Sequence, residues 1–274
     1  MDKKQYNLVG GGFNNYDNGN KASSIHRQES KFIEWVDSGS EETFYVDEYI
    51  SLAFDDTTSK KKYAWLLESK DIKPQVVDDV KSNYLHYVRV FDCIFTHSEE
   101  LLKLHRKFKF APLYGSWITE PKLHDKTKLV SMICSNKLMC SGHQHRLSWA
   151  QKLQGDVDFY GRGFNEIESK EDGLKDYMFS VAIENSSYKS YFTEKIQDCF
   201  ATGTIPIYYG SPDIGKFFNP NGIIELTEDF DVSSLTPDLY HAKLDAVKEN
   251  LKIVKDFLIN EDYIYKTYLE INGN

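Results

Sequence analysis

Runs of β-branched and aromatic residues alternate along the chain with segments of helical apolar spacing. That pattern predicts parallel sheets covered by helices. In the first half, Tyr6-Asn7-Leu8-Val9 runs into Gly10-Gly11-Gly12, and an amphipathic stretch surrounds Phe32-Ile33-Trp35-Val36. Thr43-Phe44-Tyr45-Val46 and Tyr63-Ala64-Trp65-Leu66-Leu67 follow. A polar helical segment near Val76–Tyr87 leads to Cys93-Ile94-Phe95-Thr96. A helix then opens at Ser98-Glu99-Glu100, with Ser98 suited to cap it and two acids favouring the dipole. Tyr84, Tyr87, Phe91 and Phe95 read as core and interface.

The polar segment Thr119–Lys128, carrying Pro121, is the expected boundary between domains over residues 1–120 and 121–274. Beyond it strands are expected over Lys128–Cys134, Val157–Tyr160, Tyr177–Ile183 and Thr204–Tyr209. Helices are expected over Gln144–Leu153, with Leu147, Ala150 and Leu153 at helical spacing, and over Thr193–Thr202, stopped by Gly203. From Pro237 to Leu258, the residues Leu244, Val247, Leu251, Val254 and Leu258 recur at steps of three and four and form a packing stripe.

At 274 residues the chain is long enough for two domains that bury cores without staples. With 41 % hydrophobic residues it is not a disordered or low-complexity chain. No apolar run approaches the roughly 20 residues of a membrane span. Met1-Asp2-Lys3-Lys4 leads into polar sequence, so a cytoplasmic protein is expected. The formal charge of −9 disfavours nucleic acid as a partner but leaves room for a small anion held by local cations. Cys93, Cys134, Cys140 and Cys199 are scattered, which suggests free thiols rather than a zinc or disulfide framework. His143-Gln144-His145 lacks a third clustered ligand, so no metal site is expected.

The unit from Tyr177 to Gly210 reads as strand, loop, helix and strand, which sets a helix N-terminus at a strand's carboxyl end, a place suited to phosphate. Lys195 in the first turn opposes the dipole preference and makes sense beside an anion. Arg146 opens the preceding helix after Ser135-Asn136-Lys137. If neighbouring βαβ units lie side by side, Arg146 and Lys195 approach one crevice and can neutralise a diphosphate.

Three stretches then resemble the hallmark of the family 10 glycosyltransferases, the α-1,3/1,4-fucosyltransferases. They are Ala182-Ile183-Glu184-Asn185-Ser186, Tyr191-Phe192-Thr193-Glu194-Lys195 and Gly203-Thr204-Ile205-Pro206-Ile207-Tyr208-Tyr209-Gly210. Phe217-Phe218-Asn219-Pro220 and Asp229-Phe230 continue the likeness, and weaker similarity reaches upstream through Asp156–Gly163, Arg146 and Ser135-Asn136. Ile183 stands where the family usually has Phe, and Ser190 where it often has Asp.

The resemblance implies an α/β fold of GT-B type: two Rossmann-like domains facing across a cleft, an acceptor side and a GDP-sugar side. On it, Lys195 and Arg146 match cations on the donor diphosphate. Glu194, Tyr191 and Asn185 match residues that contact the donor's ribose, phosphates or sugar, and Ser135 and Asn136 join that donor-binding set. The implied activity is inverting transfer of a sugar, fucose foremost, from a GDP-sugar to a hydroxyl of an oligosaccharide acceptor, with no cofactor or metal. The implied base sits in a G-E-x-x-x-P-like stretch. Its nearest counterpart is Leu67-Glu68-Ser69-Lys70-Asp71-Ile72-Lys73-Pro74, which makes Glu68 the candidate, and Ala111-Pro112-Leu113-Tyr114 resembles the family's M-P-L-Y.

Other motifs weigh less. Asp156-Val157-Asp158 and Asp229-Phe230-Asp231 spell D-x-D, but the first opens a strand where a metal motif sits at an exit. Gly10-Gly11-Gly12 lacks the remainder of a dinucleotide fingerprint. Asn185-Ser186-Ser187 is a formal glycosylation sequon that falls inside the donor motif. The rival readings are a non-catalytic nucleotide-sugar or glycan-binding module on the same fold, and a transferase using another nucleotide-sugar. Glu68 separates the binding module from an enzyme.

Overall fold

Two parallel sheets account for the apolar runs. In the first, β1 (Lys4–Val9), β4 (Ile33–Val36), β5 (Glu42–Val46), β6 (Lys61–Leu66), β7 (Cys93–Thr96) and β8 (Phe108–Phe110) lie in the order β4-β1-β5-β6-β7-β8. Every pair is parallel. β2 (Phe13–Asn15) and β3 (Lys21–Ser23) form an antiparallel hairpin. Side chains on the strands bury on both faces, with Phe44, Trp65 and Phe95 fully inside. Helix α1 (Pro74–Ser82) starts at its proline, and Asn83 separates it from α2 (Tyr84–Val90), so the segment expected near 76–87 is two helices. The short helix α3 (Glu99–Leu102) is capped as expected, the Ser98 hydroxyl accepting the Leu101 N–H at 3.5 Å.

In the second sheet, β9 (Lys128–Ile133), β10 (Asp158–Tyr160), β11 (Tyr177–Ile183), β12 (Ile205–Tyr209) and β13 (Ile224–Glu225) lie in the order β10-β9-β11-β12-β13, again all parallel. Helix α4 (Ser141–Lys152) begins three residues before the expected Gln144, and α5 (Glu194–Ala201) follows Thr193. The stretch that carries the packing stripe from Pro237 is divided at Lys243 into α6 (Pro237–Ala242) and α7 (Leu244–Asp256). Val247, Leu251 and Val254 of α7 are buried, as the stripe required.

The computed structural model describes residues 2–15 and 20–270. By contacts the chain forms two units, Met1–Tyr114 with Leu258–Asn274, and Gly115–Phe257. The division after Tyr114 precedes the polar segment at 119–128, because that segment already packs into the second unit: the Lys122 N–H donates to the Ala201 carbonyl at 2.9 Å. The last residues return to the first unit, whereas the sequence reading carried the second domain through to 274. Helix α8 (Asn260–Ile264) docks there with the polar groups of Asn260, Glu261 and Asp262 buried beside the fully buried Ile264. Glu261 is fully buried and accepts the Ser23 N–H at 2.7 Å and pairs with His26 at 2.7 Å. Among the described residues no helix is long and apolar enough to cross a membrane.

Candidate functional site

The chain order of the second sheet reverses between β9 and β11, since β10 lies on one side of β9 and β11 on the other. The strands' carboxyl ends diverge at such a point and leave a crevice, the usual ligand position in an open α/β sheet. Arg146 spans it. From α4 its guanidinium donates to Asn185 Oδ1 at 3.2 Å, just past β11, and to the carbonyl and hydroxyl of Ser135 at 3.4 Å, just past β9. The residue is only 5 % exposed, yet its partners are neutral and its Nε has none. Among the described residues no carboxylate lies within ion-pair distance of it. Burial pulls the guanidinium below its ordinary range, with Glu184 and Glu194 acting in the opposite sense from further off.

Two glycines bring the elements together. A Cβ on Gly142, in the first turn of α4, would stand 2.0 Å from the Asn185 carbonyl oxygen. Gly161 has φ of +105°, and a Cβ there would stand 2.3 Å from the Cys134 carbonyl oxygen. Both approaches seat α4 and the β10 exit against the strand ends that Arg146 bridges.

Beside Asn185, Glu184 is fully buried and organises the start of α5. It accepts the Thr193 N–H at 2.7 Å and the Thr193 hydroxyl at 2.7 Å, and it pairs with Lys195 at 3.2 Å. The Thr193 side chain is thereby turned away from its capping position, and α5 starts without a side-chain acceptor for its N–H groups. Lys195 also donates to the Thr193 hydroxyl at 2.9 Å and lies 3.6 Å from Glu194. Burial works against its charge, but the Glu184 and Glu194 carboxylates prevail and raise its pKa. The anion that explains a lysine in this first turn is therefore internal, Glu184, and Arg146 is the cation left without a carboxylate among the described residues.

Glu194 faces a second cation, Lys170, at 3.1 Å. Burial pushes its carboxyl up, but Lys170 and Lys195 outweigh it and hold it at about 2. Lys170 also pairs with Asp198 at 2.9 Å, lies 4.6 Å from the Trp117 ring centre, and is raised despite burial. Asp198 in turn accepts the Ser116 hydroxyl and the Trp117 N–H, each at 2.7 Å.

Tyr191 lies in the loop before α5, buried, its ring 4.8 Å from that of Tyr188. Asn136 is exposed at the β9 exit, and its N–H donates to the Arg162 carbonyl at 3.1 Å. The structure thus brings Arg146, Ser135 and Asn185 together, and Lys195 with Glu194. Glu68 belongs to the first unit, half-buried two residues past β6, its N–H donating to Asp47 Oδ1 at 3.1 Å. Sequence reasoning left out Glu184, Thr193, Lys170 and Asp47 as site residues. Glu184 sits inside the quoted motif, and its invisibility there comes from ion pairing that only the fold reveals.

The other motifs resolve locally. Asp158 accepts the Tyr177 hydroxyl at 2.6 Å at the start of β10, and His143 Nδ1 accepts the Met139 N–H at 3.0 Å. Burial, then Arg146, Lys137 and Lys195, hold His143 neutral, at about 4. His145 instead packs 4.4 Å from the Tyr209 ring.

Residues 123–252 match the family described as glycosyltransferase family 10 (fucosyltransferase) C-term, a segment that holds every site residue of the second unit named above. Over this segment, just under half of the chain, the sequence is similar to glycosyltransferase family 10. An alpha-(1,3)-fucosyltransferase of Helicobacter pylori, FucT, is 41 % identical over 64 residues, 23 % of this chain and 13 % of that protein. Glycoprotein 3-alpha-L-fucosyltransferase A of Drosophila melanogaster is 28 % identical over 159 residues, 54 % of this chain and 28 % of that protein. The chain thus matches less than a third of either relative's length. A crystal structure of an alpha1,3-fucosyltransferase with GDP superposes with a TM-score of 0.51 at 18 % identity, covering 84 % of this chain and 83 % of that one. That likeness extends the fold beyond the family 10 segment: the chain has the two Rossmann-like parallel units of the GT-B class.

Proposed function

We propose that this protein is a glycosyltransferase that moves fucose from GDP-fucose to a hydroxyl of an oligosaccharide acceptor, with inversion and without a metal. The observation that carries the reading is Arg146: a buried guanidinium at the switch point, held among the described residues only by neutral oxygens and there with Nε unpartnered. Such a cation is completed by an anionic ligand, and a diphosphate beside the uncapped start of α5 supplies it. Arg146 and Lys195 would neutralise the diphosphate as GDP departs, while Ser135, Asn136, Asn185, Tyr191 and Glu194 line the donor side. Glu68 is the base: it takes the proton of the acceptor hydroxyl as that oxygen attacks the anomeric carbon and the bond to GDP breaks. A single displacement of this kind inverts the anomeric centre.

The test is GDP release from GDP-fucose, GDP-mannose, UDP- and CMP-sugars against a panel of mono- and disaccharide acceptors, repeated with EDTA. The expected result is turnover with GDP-fucose alone or foremost, unaffected by EDTA, with the product of inverted configuration. Tight GDP binding without turnover of any donor would make the protein a binding module. Turnover confined to a UDP- or CMP-sugar would refute the donor assignment.

A further inference from the structure

Asp47 and Glu68 follow the carboxyl ends of adjacent parallel strands in the middle of the first unit's sheet, β5 and β6. The β5–β6 register ends at Val46 and Trp65, so the amides of Leu67 and Glu68 lie beyond it. Asp47 meets them. Its φ of +48° is in the left-handed region, which Asp tolerates better than most residues. From there Oδ1 accepts both the Leu67 N–H at 2.8 Å and the Glu68 N–H at 3.1 Å. The residue is 7 % exposed. It is a side chain folded back to finish a neighbouring strand.

We propose that Asp47 is a positioning residue: by clamping the two amides that carry Glu68, it fixes the direction from which the Glu68 carboxylate meets the acceptor hydroxyl. This rests on the reading of Glu68 as the base. The cost accepted at Asp47 supports it. Burial, then the Glu68 and Glu48 carboxylates, raise its acid to about 7 against the two amide bonds that lower it. Around the pair, Glu48 is tied to Lys73 at 2.7 Å, Lys73 feels both Asp47 and Glu68, and a buried neutral His97 from the β7 exit lies against the Leu67 and Glu68 backbone. A group with no chemical role for its charge and an uncommon backbone angle is held where it fastens two peptide N–H groups.

The clamp uses an oxygen, not a charge, and so Asn should replace Asp while Gly should not. An Asn carries an acceptor oxygen and adopts this φ; a Gly adopts the φ without the acceptor. GDP release from GDP-fucose, with the best acceptor of the panel above, is measured for D47N, D47G, E68Q and the D47G/E68Q pair, with folding checked by circular dichroism. D47N is expected to keep kcat within about threefold. D47G should lose about 100-fold in kcat with KM for GDP-fucose unchanged, since misplacing a catalytic group acts on the chemical step. In the E68Q background D47G should lose nothing further. Amide exchange at Leu67 and Glu68 should quicken in D47G and not in D47N. D47G at wild-type turnover, with E68Q inactive, overturns the proposal and leaves the base assignment standing. An equal loss from D47G in both backgrounds overturns it too. E68Q at wild-type turnover overturns the base assignment itself.

Discussion

Replacing Arg146 by Met should separate the two roles a buried cation can have. The guanidinium is 5 % exposed and is met by three long hydrogen bonds to neutral oxygens, at 3.2–3.4 Å. Leaving a charge so placed without a counter-ion costs several kcal/mol, and hydrogen bonds this long to neutral oxygens recover only part of it. Met keeps most of the stem's volume. The free protein should therefore be as stable as wild type or more so, with each kcal/mol gained worth about 2–4 °C in Tm. GDP binding should move the other way. Removing one charge-assisted phosphate contact costs about 1.5–3 kcal/mol, a fall of about 10- to 150-fold in affinity. Calorimetric titration with GDP and thermal melts with and without it read both quantities. A variant that melts well below wild type yet binds GDP equally would refute the reasoning and make Arg146 a strut between strand ends.

Three further outcomes follow from the geometry. Gly142→Ala sets a methyl 2.0 Å from the Asn185 carbonyl, so α4 must back away, which should cost about 1–3 kcal/mol in urea unfolding and weaken GDP binding with it. Lys170→Met strands the carboxylates of Glu194 and Asp198, and discounted for the lysine's 20 % exposure the loss should be about 2–4 kcal/mol by the same unfolding assay. Asp47 keeps its proton to about pH 7 when folded but loses it near 3.8 when unfolded. Between those values the folded state binds more protons, so stability falls as pH rises from about 4 to 7, by up to about 4 kcal/mol. Asp47→Asn should flatten that decline; an unchanged pH profile of urea midpoints would show that Asp47 is not the group responsible.

Much of the second unit was legible because its signals are local. The strand Tyr177–Ile183 is a parallel strand buried on both faces and therefore reads as an apolar run interrupted only by Ser180, and Gly203 marks the end of α5. The motif from Glu184 to Lys195 has a fixed loop length, so it names its residues even where it does not say whom they face. The first unit was read less well. Its break at Asn83 and its completion by residues 258–274 depend on contacts between distant segments, such as Glu261 on Ser23 and His26, that leave no periodicity.

The amino-acid order alone thus pointed to two parallel α/β units, the positions of most strands, a resemblance to the family 10 glycosyltransferases and the candidates Arg146, Lys195 and Glu68. Those follow from burial patterns and spacings within one stretch of chain. Only the tertiary structure decided which cation lacks an anion. It pairs Lys195 with Glu184, leaves Arg146 to neutral oxygens, and folds Asp47 back onto Glu68. Pairing energies depend on distances between side chains far apart in sequence, and a charge's neighbours exist only once the strands have chosen their order.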